Sequence, residues 1–174
     1  MSYNWRNDGN LSQKSDLDYL IELIDSLTVA LHQDPNDTEK LFLRGNGYLD
    51  ARRFDEAIED YSKIIGFGQA KAAVYNNRGI CHRGMGNPNQ AIVDFTKALV
   101  IDPLYRDAYN NRGMSKADLG LHDEALSDYN EAIGLDSEYW YAFNNRAMLL
   151  WTLGDRENAA LDYEKVRKIL GEQK

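Results

Sequence analysis

The residues able to do covalent or metal chemistry are few in this chain. There is one cysteine, Cys81, and three histidines, His32, His82 and His122. None of them falls in a CxxC, HxxxH or HExxH spacing, so no local set of ligands for a tetrahedral metal is present. No nucleophile–base or acid–base constellation stands out along the chain. The glycines of the stretch GICHRGMG, Gly79 to Gly86, lie in a helical pattern and its turn, not between a strand and a helix, so they are not a phosphate-binding loop. The sequence predicts no catalytic residue, no metal site and no cofactor, and a protein that is not an enzyme.

Polar side chains that recur are a different matter. Asn76-Asn77, Asn110-Asn111 and Asn144-Asn145 repeat every 34 residues. A carboxamide carries both a donor and an acceptor, so a spaced row of them can pair with the backbone of an extended peptide without reading its side chains. Phe42-Leu43 breaks the row in the first copy. Arg44, Arg78, Arg112 and Arg146 form a second uniform slot, and Asp60, Asp94, Asp128 and Asp162 a third, each Asp 16 residues after its Arg. Two antiparallel helices bring such residues together, which predicts structural ion pairs with bidentate geometry. The rival reading is an arginine ladder for anionic ligands. A matched acid for every cation argues against it.

Behind these slots lies one repeating unit. The stretch YNNRGMSKADLGLHDEALSDYNEAI, Tyr109 to Ile133, has counterparts beginning at Leu41, Tyr75 and Phe143 with no insertion or deletion between them. Each copy reads as two helices joined by a short turn, at Arg52-Arg53, Gly86-Asn87-Pro88, Gly120-Leu121 and Gly154-Asp155. The predicted pairs run from about Thr38 to Ile65, Ala72 to Val100, the third copy up to a stop at Asp136-Ser137, and the fourth to Leu170-Gly171. Ahead of them, Leu17, Leu20, Ile21, Ile24, Leu27 and Leu31 form one apolar stripe. This predicts a helix capped by Ser15 or Asp16 and ended by Asp34-Pro35. Gly45, Gly79, Gly113 and Ala147 make a small-residue slot, and Ala57, Ala91, Ala125 and Ala159 another. Tyr61, Phe95, Tyr129 and Tyr163 supply large rings one turn beyond the alanines.

Composition fits a helical domain: 43% of residues are apolar, 28% are charged and only three are proline. The net charge of −8 and a pI near 4.9 disfavour nucleic acid and anionic membrane as partners. No apolar run approaches the roughly 18 residues of a membrane span. A single cysteine and a polar start, Met1 to Lys14, predict a reducing, cytoplasmic location. Residues 1–14 read as a flexible polar tail. Residues 15–174 read as one repeat domain, with a capping helix at 15–34 and units at 38–71, 72–105, 106–139 and 140–173.

A 34-residue helix–turn–helix unit with aromatic, small, Ala, aromatic, Ala and Pro slots in this order resembles the tetratricopeptide repeat family. The resemblance implies an all-α, right-handed superhelical solenoid of antiparallel helix pairs, with the first helices lining a concave groove. It further implies a non-enzymatic scaffold or adaptor that binds a peptide or partner domain there. The groove sites this suggests are Asn76, Asn77, Asn110, Asn111, Asn144 and Asn145, one of each pair facing the groove and the other bracing the packing. Tyr141, Met148 and Trp151 would supply an aromatic end, since Trp and Tyr dominate such surfaces. Some members hold acidic C-terminal tails with a Lys, Asn and Arg clamp. Here the matching slots carry Phe42, Asn46, Asn77, Asp107 and Asn111, without the cations. Arrays of this kind often end in an extra solvating helix. The alternative function is therefore assembly through an open C-terminal end, as a homodimer.

Overall fold

The computed structural model describes residues 15–68 and 70–171. The expected flexible tail, 1–14, and the last residues of the fourth unit lie outside the described residues. Among the described residues there are nine α-helices and no strand: α1 (Asp16–Gln33), α2 (Thr38–Asp50), α3 (Phe54–Gly66), α4 (Ala72–Gly84), α5 (Pro88–Ile101), α6 (Arg106–Asp118), α7 (His122–Leu135), α8 (Trp140–Thr152) and α9 (Arg156–Leu170).

Local chemistry sets the boundaries. Ser15 caps α1, its hydroxyl accepting from the Asp18 N–H while the Asp18 carboxylate accepts from the Ser15 N–H. Pro88 opens α5, where a missing N–H costs nothing. The turn inside each unit needs a left-handed residue. Gly86, Gly120 and Gly154 provide it at φ 77°, 75° and 88°. In the first unit Arg52 occupies the same slot at φ 57°, the lone non-glycine residue with positive φ among those described.

Every helix packs on its neighbours in sequence, and the first helices also touch across units, as α2·α4, α4·α6 and α6·α8. No two second helices of successive units make such contact among the described residues. The first helices therefore crowd the inside of a curve and the second helices splay along its outside. That one-sided contact is what turns a stack into a superhelix with a concave face.

Small-against-large packing holds each unit together. A Cβ at Gly45, Gly79 or Gly113 would come within 2.8, 2.7 and 2.8 Å of the rings of Tyr61, Phe95 and Tyr129. Those three rings are at most 2% exposed. The fourth unit carries Ala147 in the glycine slot, and there the ring, Tyr163, is only half-buried.

Candidate functional site

The four Arg–Asp pairs form as spacing predicts. Arg44, Arg78, Arg112 and Arg146 each donate Nε and Nη2 to both oxygens of Asp60, Asp94, Asp128 and Asp162, at 2.6 to 2.9 Å. The carboxylates are buried and the guanidinium groups largely so. Hydrogen bonding to Asp60 and to Asp94 raises the pKa of Arg44 and of Arg78 above the ordinary value against the opposing effect of burial. The third nitrogen reaches backward across the unit boundary. Nη1 of Arg44, Arg78, Arg112 and Arg146 donates to Thr28, Ser62, Thr96 and Asn130 of the preceding second helix. This acceptor slot, Thr28, Ser62, Thr96 and Asn130, also recurs every 34 residues, and that period is its signal in the sequence. With its charge already matched by a bidentate buried carboxylate and a third nitrogen tied to the preceding helix, each guanidinium serves the packing and not an anion ladder.

The asparagines form a second seam on the inner side. Asn111 Nδ2 donates to Asn76 Oδ1 at 3.0 Å, and Asn145 Nδ2 to Asn110 Oδ1 at 2.9 Å. Where Phe42 interrupts the row, Asn46 one turn later takes its place and accepts from Asn77 at 2.9 Å. Tyr61 also donates to Asn46, at 2.7 Å. Asn76 and Asn110 are each 4% exposed, so the first members of these pairs lie in the packing. Asn77, Asn111 and Asn145 are half-buried. An amide nitrogen has two hydrogens, so Asn111 and Asn145, after bracing the seam, each retain one donor and a carbonyl oxygen.

Besides a hollow of about 330 Å³ lined by Ile80, Arg83, Asn111 and Asp118 among others, two more open along the first helices. One, of about 410 Å³, is lined by Glu39, Phe42, Lys71 and Ala73 among others. The other, of about 270 Å³, lies between Met114, Ala117, Asn145, Met148 and Thr152. Its rim carries an ion pair between Arg83 and Asp118, which spans α4 and α6 at 2.7 Å. Tyr141, Met148 and Trp151 follow at the end of the row and are each about half exposed, at 51, 55 and 54%. Trp140 stacks on Tyr141 with centroids 3.7 Å apart, and Arg156 lies over the Trp151 ring at 5.3 Å.

The candidate reactive groups are quiet. Cys81 is fully buried, and burial pushes its thiol up to about 12, far from a reactive thiolate. His82 sits 3.7 Å from Asp94, but burial holds its pKa below the ordinary value, and Arg78 adds to the effect. Among the described residues no group of three His, Cys, Asp or Glu could hold a metal ion. No helix of the described residues is long and apolar enough to cross a membrane.

Known proteins place this architecture. Two tetratricopeptide repeat family models match residues 72–105 and 110–169, together a little over half of the chain. The chain belongs to the tetratricopeptide repeat family, whose members are protein-interaction modules. A search of curated proteins found no match. Among solved structures, MamA superposes with a TM-score of 0.79 at 22% identity, over 91% of this chain and 96% of that one. YrrB, a repeat protein with an unusual peptide-binding site, gives 0.72 at 22% identity over 90% and 81%. The first repeat domain of Spaghetti (RPAP3), bound to the HSP90 peptide SRMEEVD, gives 0.65 at 25% identity over 70% and 96%. At these identities the first two likenesses concern the fold.

Proposed function

We propose that this protein is a non-catalytic scaffold that holds an extended peptide segment of a partner along the concave face of α2, α4, α6 and α8. The observation carrying this reading is the row formed by Asn111 and Asn145. Each amide is fixed by its seam bond at 2.9 to 3.0 Å and still has one donor and one acceptor to offer. A ligand backbone meets groups whose rotamers are already locked, so little side-chain entropy is lost on binding. Beyond Asn145, the half-exposed Met148, Trp151 and Tyr141 supply apolar and aromatic area for a partner side chain. Peptide binding by YrrB and by the RPAP3 domain supports the class of ligand. An acidic tail of the RPAP3 type is disfavoured: Phe42 and Asp107 stand where cations would be needed, and the net charge is −8. We place the protein in the cytoplasm, away from nucleic acid and membranes, on its acidic charge and its one buried, unpaired cysteine.

Panning a library of unstructured peptides on the intact chain tests the reading. Selected peptides should bind about tenfold more weakly to Trp151→Ala, a loss of roughly 1.4 kcal/mol, while circular dichroism shows the variant folded. Equal affinity for Trp151→Ala and for Tyr141→Ala would remove the aromatic end from the site. Failure to select any peptide would turn attention to the rival reading, a homodimer formed at the C-terminal end.

A further inference from the structure

In the first three units, Asn46, Ile80 and Met114 share one slot of the first helix, and Tyr61, Phe95 and Tyr129 share one slot of the second. The Tyr61 hydroxyl donates to Asn46 Oδ1 at 2.7 Å. In the second unit Phe95 has no hydroxyl and Ile80 no acceptor, so nothing is missing. The third unit breaks the match. Tyr129 keeps the hydroxyl, Met114 replaces the amide, and the hydroxyl makes no hydrogen bond among the described residues. Tyr129 is 2% exposed and, like Met114, lines the hollow of about 270 Å³ between α6 and α8. By the register of Tyr61, its hydroxyl points to the Met114 side of that hollow. Burial raises the pKa of this phenol, with Arg83 on the rim opposing and Asp118 adding, so it is a protonated donor at neutral pH. Nδ1 of His122, on another wall, is buried and also unpartnered among the described residues. Ala117 leaves the space open, where the other units carry Leu49, Arg83 and Trp151 in its slot. The hollow lies at an interior boundary, with described units on both sides.

We infer that this hollow is a subsite for a phenol, the side chain of a tyrosine on the peptide held in the groove, and the inference rests on the groove reading. Its volume falls just short of the roughly 300–1,000 Å³ of clefts for drug-sized ligands, which suits a single large side chain. Arg83 and Asp118 already neutralise each other at 2.7 Å, so a charged side chain would be desolvated without a counter-ion. A purely apolar one would leave the Tyr129 hydroxyl unpaired. A phenol hydroxyl both donates and accepts, and so answers a tyrosine hydroxyl beside an imidazole nitrogen. The ring meets the thioethers of Met114 from α6 and Met148 from α8, and sulfur favours contact with aromatic rings.

The test titrates the full chain with p-cresol, the tyrosine side chain as a free molecule, and with toluene as its counterpart lacking the hydroxyl. Amide NMR shifts of Met114, Ala117, Asn145 and Thr152 should move saturably with p-cresol. Tyr129→Phe puts in this slot the ring that Phe95 already supplies one unit earlier, so the packing is kept. It should weaken p-cresol about fivefold, the range of one neutral hydrogen bond, and leave toluene unchanged. No saturable shift at these amides, or p-cresol binding that Tyr129→Phe leaves intact, overturns the inference. Panning that selects peptides without enriching tyrosine overturns it too and leaves the groove reading standing. Panning that selects nothing, with p-cresol bound here, sinks the groove reading alone, because the preference for a phenol is then met without a peptide.

Discussion

At the level of single residues, the most consequential groups are charged and buried yet serve the packing. Asp94 is 2% exposed and accepts two bonds from Arg78. Asp94→Ala leaves that guanidinium without its counter-ion and should cost about 3 kcal/mol in urea unfolding, the low end for breaking a buried pair because Arg78 keeps some contact with water. His82 gives a pH signature. Burial, the largest influence, lowers its pKa in the folded chain. Below about pH 6.5 the unfolded chain takes up a proton that the folded chain resists, so stability falls on acidification toward the lower, folded-state value. The His82→Gln variant should lose that part of the pH dependence between about pH 7 and 5, read as a flatter plot of melting temperature against pH.

For the helices, the glycine slot decides how closely two of them approach. Gly79→Ala places a methyl group about where the Phe95 ring already is. Overpacking costs about 1–3 kcal/mol and outweighs the roughly 1 kcal/mol that alanine gains in helix propensity. The opposite change, Ala147→Gly, should also destabilise, by about 1 kcal/mol, because the half-exposed Tyr163 gains no tight contact in return. Thermal unfolding of the two variants checks both signs. Helix existence and most boundaries were legible in the sequence, because Gly at the turns, Pro88 and the apolar stripe of α1 each act locally. The Arg–Asp pairing was legible too, since both members recur at one fixed offset. What joins one unit to the next was not. Asn111 meets Asn76 at an offset of 35, and Arg112 reaches back 16 residues to Thr96, contacts that depend on how units stack and not on any pattern within one. The replacement of Phe42 by Asn46 in the first seam was hidden for the same reason.

Across the molecule, the asparagine seam ties neighbouring units on the inner side and the arginine seam ties them through the second helices. Asn111→Ala strands the buried Asn76 oxygen and should cost about 1–3 kcal/mol. In a stack where each unit meets only its neighbours, the loss stays at the α4·α6 boundary. Hydrogen exchange should therefore quicken in α4 and α6 and leave α1 and α9 near their original rates; uniform quickening would contradict the nearest-neighbour picture. The identical seams also bear on how such a chain can lengthen or shorten. A duplication of residues 72–105 would arrive with Asn77-Arg78 at one edge and the acceptors Asn76 and Thr96 at the other, so both new boundaries would be satisfied on arrival. A deletion of the same stretch would rejoin compatible edges. Arrays built on these seams can change in length by whole units through ordinary recombination, with no compensating substitution, and a copy of the first unit, which carries Leu43 in the donating Asn slot, is the one that would leave a seam bond unmade.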